Sequence, residues 1–131
     1  MPPSLPLPGR MLVAEDDPIL LRFYQIALKG VCTDVKVLSD AESALQELLN
    51  SSFDFLITDL KLGGKNGIDI INQAVSRNPQ VKVLVASGYV DDSKYQQNLA
   101  YFPQICGYLQ KPFTIDQLLQ TVRSSLGSTP S

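Results

Sequence analysis

The sequence predicts an α/β fold in which a doubly wound sheet of five parallel strands carries helices on both faces. Short apolar runs alternate along the chain with segments whose apolar residues recur at helical spacing, which is the pattern of successive βα units. Four of the five apolar runs show no polar alternation, as expected of strands buried on both faces. A length of 131 residues suits one domain.

Five strands are predicted, each a short run rich in apolar residues. They cover residues 11–14, 33–38, 54–58, 81–86 and 105–109. Only the second strand alternates, because Lys36 separates Val35 from Val37, so we expect this strand to be exposed on one side or to lie at an edge. We expect the other four strands to be buried on both sides.

Capping residues indicate where the first two helices begin. Pro18 suits the first turn of a helix, with Asp17 as the cap before it. Ser39 and Glu42 form a capping box at the start of the second helix. The apolar stripe of that helix comprises Ala41, Ala44, Leu45, Leu48 and Leu49.

Three more helices complete the predicted βα units. Asn78 and Pro79 should end the third helix, and residues 91–102 form a weaker, more polar fourth helix. Thr114 and Gln117 supply a capping box for the fifth helix. Its apolar face comprises Ile115, Leu118, Leu119 and Val122.

The two ends of the chain differ in composition from the part between them. Four of the nine prolines lie in the first eight residues, where they block regular hydrogen bonding. We therefore interpret residues 1–9 as a proline-rich leader or linker, residues 10–126 as the folded domain and residues 127–131 as a flexible tail.

Composition excludes several classes of function. Lysine and arginine number 11 against 13 acidic residues, so no broad basic field attracts nucleic acid or an anionic membrane. No apolar stretch approaches the roughly 20 residues of a membrane span, and no signal peptide is evident, so we expect a cytoplasmic protein. The absence of histidine excludes histidine-based catalysis and a His/Cys zinc site. Cys32 and Cys106 are interpreted as small buried or half-buried residues.

Chemically active side chains follow four of the predicted strands. Glu15 and Asp16 follow the first strand, Asp59 the third, Ser87 the fourth and Lys111 the fifth. Ligands of an open parallel sheet bind beyond the carboxyl ends of its strands. Gathered carboxylates repel one another, and a hard divalent cation such as Mg²⁺ removes that cost. A hydroxyl and an ammonium beside Mg²⁺ are suited to a phosphoryl group.

Asp59, at the end of the central strand, is the candidate nucleophile, because carboxylates can attack phosphorus to form acyl phosphates. Each residue also has an ordinary interpretation: the acidic run caps a helix, Ser87 is a small strand-end residue and Lys111 is a solvated lysine. The coincidence of all these groups at the ends of four strands favours the functional interpretation.

Four motifs together resemble the receiver domain of two-component response regulators. They are residues 11–18 (MLVAEDDP), residues 57–62 (ITDLKL) with Gly67, residues 85–88 (VASG) and residues 109–113 (LQKPF). The resemblance implies a flavodoxin-like sheet of order 2-1-3-4-5. It also implies a phosphoaccepting module of two-component or phosphorelay signalling, with enzymatic activity limited to its own Mg²⁺-dependent phosphorylation and slow dephosphorylation. The stretches 85–89 and 107–112 are also similar to receivers fused to hybrid histidine kinases.

The resemblance assigns a role to each matching residue. Asp59 is the phosphoacceptor, Asp16 touches Mg²⁺ directly, Glu15 does so through water, and the Lys61 carbonyl is a further metal ligand. The resemblance implies three further roles. The Ser87 hydroxyl moves toward the phosphoryl oxygen, the Lys111 ammonium binds the phosphate, and Tyr108 is an aromatic switch that changes rotamer. It also implies that the peptide bond between Lys111 and Pro112 is cis.

The implied partners are a histidine kinase or histidine phosphotransfer protein as donor, and a downstream protein on the face formed by the fourth helix, fifth strand and fifth helix. Direct contact with nucleic acid or a membrane is not expected. In place of the usual proline after the phosphoacceptor the chain has Gly63-Gly64, which predicts a more mobile loop. Lys61 and Tyr89 flank the site and are predicted to set the phosphoryl lifetime.

Three alternative functions fit the sequence less well. Phosphatases with an aspartate nucleophile carry a second aspartate where this chain has Lys61. A nucleotide or flavin binder needs a phosphate cradle rich in Gly, Ser or Thr after the first strand, whereas Glu15, Asp16 and Asp17 repel phosphate. A degenerate receiver that only binds partners is disfavoured because every expected active-site group is present.

Overall fold

A five-stranded parallel sheet forms the centre of the molecule. The computed structural model describes residues 7–62, 65–88 and 100–127. The strands are β1 (Leu7–Ala14), β2 (Cys32–Leu38), β3 (Phe55–Thr58), β4 (Lys82–Ser87) and β5 (Ile105–Gln110). Their order is β2-β1-β3-β4-β5, and every neighbouring pair is parallel. The predicted fold class and strand order are therefore confirmed, with β2 at one edge and β3 in the centre.

Helices cover both faces of the sheet. They are α1 (Pro18–Ala27), α2 (Ala41–Asn50), α3 (Gly67–Arg77) and a C-terminal helix (Ile115–Thr121) that continues as a π-helix over Val122–Leu126. Most of the predicted fourth helix, residues 91–99, lies outside the described residues, and Ala100 and Tyr101 form a turn. None of the helices in the described ranges has the length and apolar character needed to cross a bilayer.

Alternate residues of the central strands pack into two separate apolar layers, one on each face of the sheet. On β1, Leu12 packs into the layer beneath α2 and α3, whereas Met11 and Val13 pack into the layer beneath α1 and the C-terminal helix. β3 behaves in the same way, since Leu56 joins the first layer and Ile57 the second. The sheet is thus buried on both faces near its centre, which explains the continuous apolar runs in the sequence.

The first strand begins earlier than predicted. Leu7 is buried and donates its N–H to the Val31 carbonyl at 2.7 Å, so residues 7–9 belong to the sheet rather than to a leader. The register between β1 and β2 shifts between Leu7 and Arg10, which places Pro8 at a bulge. A bulge tolerates proline because the residue there makes no ladder hydrogen bond. The prolines are the reason why the sequence pattern did not predict that the strand begins at Leu7.

Two predicted helix starts are confirmed and one is wrong. The Asp17 carboxylate accepts the Ile19 N–H at 2.9 Å, and Thr114 forms the predicted box with Gln117. The cap of α2 is Asp40 rather than Ser39. On the apolar stripe of α2, Ala41, Ala44 and Leu48 are buried, but Leu49 is 58% exposed.

β5 is half exposed, contrary to the prediction that it is buried on both faces. As the last strand of the sheet it has a neighbour only on the β4 side, and Tyr108 on its outer side is 47% exposed. Cys106 is exposed for the same reason, whereas Cys32 is buried as expected.

Candidate functional site

Three carboxylates meet where β1 and β3 end. Glu15 and Asp16 follow β1, and Asp59 follows β3; each offers an oxygen, and these oxygens lie within 4.8 Å of one another. Glu15 and Asp59 are buried, whereas Asp16 is exposed. The parallel pairing of β1 with β3, with Ala14 beside Thr58, brings the two strand ends level. The topology therefore gathers the acidic residues as the sequence predicted.

Lys111 bridges two of these carboxylates. Its Nζ donates to Glu15 Oε1 at 2.7 Å and to Asp59 Oδ2 at 2.5 Å. The Lys111 backbone N–H donates to the Ser87 carbonyl at 3.1 Å, which ties the end of β5 to the end of β4. Ser87 is fully buried on this rim, and the Lys111–Pro112 bond is cis, as the resemblance implied.

Burial and hydrogen bonding act in opposite directions on the charged pair. Burial raises the pKa of the Glu15 carboxyl, and the hydrogen bonds from Lys111 and the Asp17 N–H only partly offset that effect. For Lys111 burial lowers the pKa, but hydrogen bonds to Asp59 and Glu15 outweigh burial, so the pKa is raised. The lysine therefore remains an ammonium at neutral pH, and it is shared by two carboxylates.

The backbone of Asp59 is fixed from two sides. The buried Thr58 hydroxyl donates to the Asp59 carbonyl at 2.9 Å. On the other side, the Gly67 N–H donates to the Leu60 carbonyl at 2.8 Å, and a Cβ on Gly67 would overlap the Asp59 carbonyl oxygen. The Lys61 N–H also donates to Asp59 Oδ1 at 3.3 Å. Only glycine allows α3 to begin this close to Asp59.

A short antiparallel ladder follows Asp59, pairing Lys61–Leu62 with Lys65–Asn66. Leu62 lies opposite Lys65. Gly63 and Gly64, whose mobility the sequence predicts, lie outside the described residues. The sequence patterns did not predict this ladder.

The donor set suits a hard divalent cation. Three carboxylates against one ammonium leave an excess of negative charge at a half-open rim, and oxygen ligands are those that Mg²⁺ prefers. The acidic cluster could therefore bind a metal.

Not every predicted residue lies in this cluster. Tyr108 is on β5, three residues before Lys111, with its side chain half exposed. Tyr89 lies outside the described residues. Sequence reasoning missed Thr58, a buried polar residue next to Asp59 whose hydroxyl donates to the Asp59 carbonyl. Thr58 lies within an apolar pattern, which gave no signal of a polar role.

Comparison with known proteins adds independent findings. The family model for the response regulator receiver domain matches residues 11–123. Response regulator ArlR of Staphylococcus saprophyticus is 28% identical over 121 residues, which are 92% of this chain and 54% of that protein. DNA-binding response regulator MtrA of Mycolicibacterium smegmatis is 33% identical over 89% of this chain and 50% of its own. The chain thus spans about half the length of these two relatives.

A third relative is matched over nearly its whole length, and solved structures share the fold. Response regulator receiver protein CpdR of Brucella abortus is 27% identical over 89% of this chain and 96% of its own. A CheY-like receiver domain protein from Methanospirillum hungatei superposes with a TM-score of 0.80 at 22% identity, covering 92% of this chain and 94% of that one. The receiver domain of the Pseudomonas aeruginosa sensor histidine kinase PA1611, solved with magnesium in its active-site cleft, has a TM-score of 0.74 at 18% identity, covering 93% of this chain and 100% of that one.

Proposed function

Because this chain belongs to the response regulator receiver domain family, the phosphoaccepting module of two-component signalling, we propose that Asp59 is the residue that accepts the phosphoryl group. The observation that carries this proposal is the position of Asp59. It directly follows the central strand, its side chain accepts a hydrogen bond from the Lys111 ammonium, and its carboxylate lies within 4.8 Å of those of Glu15 and Asp16. Its backbone is held by Thr58 and by the close approach of Gly67, so the carboxylate is presented in a fixed position.

We propose that the acidic cluster holds Mg²⁺. The Asp16 and Asp59 carboxylates and the Lys61 carbonyl would be direct ligands, with Glu15 bound through water. The support is the charge and chemistry of the cluster, since three carboxylate oxygens within 4.8 Å of one another form the kind of oxygen donor set that Mg²⁺ prefers. When bound, the ion supplies positive charge that lets an anionic donor approach Asp59.

The transfer exchanges one bond to phosphorus for another. A carboxylate oxygen of Asp59 attacks phosphorus, an oxygen–phosphorus bond forms, and the bond from phosphorus to the partner's histidine nitrogen breaks. The electron pair stays on that nitrogen. Lys111 then turns from Glu15 to the new phosphoryl oxygens, and the Ser87 hydroxyl donates to one of them. Slow attack by water returns the carboxylate and releases phosphate.

We propose that the donor, a histidine kinase or histidine phosphotransfer protein, docks beside Lys111. A groove of about 300 Å³ lies there, and its apolar walls come from Leu20, Phe23 and Phe113, with Ile19 at its rim. Ile19 is 82% exposed at the start of α1 and lines this groove, so its apolar surface is continuous with the apolar walls of the groove. We further propose that a downstream protein binds on the Tyr108 side. We also propose that the protein is cytoplasmic and that its folded unit ends at Leu126.

Chemical phosphorylation tests the assignment of Asp59. The protein is incubated with acetyl phosphate and Mg²⁺, and the modified peptide is mapped by mass spectrometry. We expect one added phosphoryl group in the wild type and in the control Asp116→Asn, whose carboxylate is exposed on the C-terminal helix. Asp59→Asn should remain unmodified, and chelation of Mg²⁺ should prevent labelling. Full labelling of Asp59→Asn would reject the assignment.

A further inference from the structure

The outer edge of β2 carries two opposite charges. Among the described strands β2 pairs with β1 alone, so its other side faces no strand. An open strand edge is a template for pairing with another strand, and charged side chains restrict what can pair there. On β2 these charges are Asp34 and Lys36, whose side chains are 53% and 46% exposed. A strand that pairs with this edge must therefore match both charges.

The backbone of β2 points toward β1 and away from it at alternate residues. The Leu38 carbonyl accepts the N–H of Glu15, the residue after β1, so the backbone groups of Leu38 face β1. Lys36, two residues earlier on the same ladder, faces β1 as well. The N–H and carbonyl groups of Val35 and Val37 therefore face outward, where a further strand can donate and accept hydrogen bonds.

The sequence of β2 complements itself when two copies run antiparallel about Val35. In this register Asp34 of each copy lies opposite Lys36 of the other, and Val35 lies opposite Val35. Moving the centre by one residue places Asp34 or Lys36 opposite itself, and like charges directly opposite each other are destabilising. Because Val35 faces outward, the two copies exchange both of its hydrogen bonds, and the charged pairs occupy the closer, non-hydrogen-bonded positions on either side.

The surroundings of the edge also fit a second copy. Arg10 lies 3.2 Å from Asp34, and Glu47 lies 3.0 Å from Lys36, so charges alternate in sign along the row that two copies would form. On the α1 face, Val35 and Val37 are only partly buried beside a groove of about 400 Å³. The valines of a second copy would cover this apolar surface.

We propose that β2 is a self-association edge, at which two copies of the chain pair antiparallel about Val35. The product is a continuous sheet of ten strands, five from each copy. Because the pairing is antiparallel, the acidic clusters of the two copies open at opposite ends of the joined sheet, so a donor can reach each one. Tyr108 on β5 lies at the outer edges, away from the contact. Pairing at β2 does not depend on the proposed role of Asp59.

Two complementary charge reversals test this pairing. Asp34→Lys gives a strand with two lysines, and Lys36→Glu gives a strand with two acidic residues. Each variant alone places like charges opposite each other in both pairs, so we expect its dimer to be about tenfold weaker than that of the wild type. An equimolar mixture of the two variants restores opposite charges in both pairs and should form a heterodimer with about wild-type affinity. Arg123→Glu makes the same change of charge as Lys36→Glu on the C-terminal helix, which packs on β4 and β5, and should associate as the wild type does.

Sedimentation of the full chain at up to about 1 mM measures association in the range expected of a weak dimer. Wild-type protein that stays monomeric throughout this range overturns the proposal. Association that Lys36→Glu does not weaken, or that the mixture does not restore, also overturns it, because the contact would then lie elsewhere.

Hydrogen exchange in the wild type gives a second measurement that needs no variant. The outward N–H groups of Val35 and Val37 should become protected as the protein concentration rises, whereas the Lys36 N–H, which faces β1, should be protected at every concentration. Exchange at Val35 and Val37 that does not change with concentration would contradict pairing at this edge.

Discussion

Replacing Gly67 by alanine tests whether the close approach of α3 to Asp59 is needed. Gly67 is buried, and an added Cβ would overlap the Asp59 carbonyl oxygen and lie 3.0 Å from its carbon and 3.1 Å from the Leu60 Cα. Non-bonded carbon atoms prefer about 3.5–4.0 Å, so α3 and the end of β3 must separate by about 1 Å. No side-chain rotation relieves the overlap, because every atom involved belongs to the backbone.

We expect Gly67→Ala to affect stability and phosphorylation to different degrees. Overpacking costs about 1–3 kcal/mol, and a clash with backbone atoms belongs at the upper end, so the free energy of unfolding should fall by about 3 kcal/mol. Misplacement of reacting groups by about 1 Å can slow a reaction about 100-fold, and the displaced group here is Asp59 itself. Denaturant unfolding measures the first effect, and the rate of labelling by acetyl phosphate with Mg²⁺ measures the second.

Gly88→Ala is the matched control. Gly88 follows Ser87 at the same rim, and a Cβ there meets nothing within 4 Å. This variant should unfold and become labelled as the wild type does. If Gly67→Ala matches the wild type in both assays, the packing argument is refuted.

Glu15, Ile19 and Tyr108 provide further tests. Burial raises the pKa of Glu15 above its ordinary 4.5, so protons compete with Mg²⁺ at higher pH than at an ordinary glutamate; calorimetry should show Mg²⁺ affinity falling on acidification while the pH is still above 4.5, and a flat profile in that range would contradict the water-mediated role of Glu15. Ile19→Glu should slow transfer from a phosphorylated histidine donor and leave labelling by acetyl phosphate unchanged. Equal losses of rate with both donors would contradict docking of the histidine donor at this groove. Tyr108 is 47% exposed, and its ring should become more buried when beryllofluoride binds; an identical NMR environment in both forms would show that output uses another surface.

The sheet and the acidic site could be predicted because local signals determine them. Residues 55–58 form an apolar run of strand length, and Asp59 follows it directly, so the position of the carboxylate depends only on where the strand ends. The same holds for Glu15 after β1. Parallel topology then brings strand ends together without any further information from the sequence.

The features that could not be predicted depend on contacts between distant parts of the chain. Leu7 belongs to β1 because Val31 accepts its N–H, and no local pattern reveals a partner that lies 24 residues away. Tyr108 is exposed because β5 lies at an edge of the sheet, and the residues of a strand do not reveal its position in the sheet. Among the described residues, the buried Tyr24 hydroxyl has no hydrogen-bond partner, and this depends on the packing of its ring beside Phe113, far along the chain.

The central position of β3 has a consequence for how the protein loses its activity. β3 is paired on both sides and buried on both faces, so its amide hydrogens should exchange with solvent only when the whole domain unfolds. Edge strands such as β2 can open in smaller fluctuations that leave this strand intact. Since Asp59 follows β3, partial unfolding at the β2 edge leaves the acceptor in place. Opening of the other edge strand, β5, displaces Lys111, which follows it, while the acceptor strand stays paired. The protein should therefore lose its lysine in smaller fluctuations than those that expose Asp59, whose loss requires global unfolding.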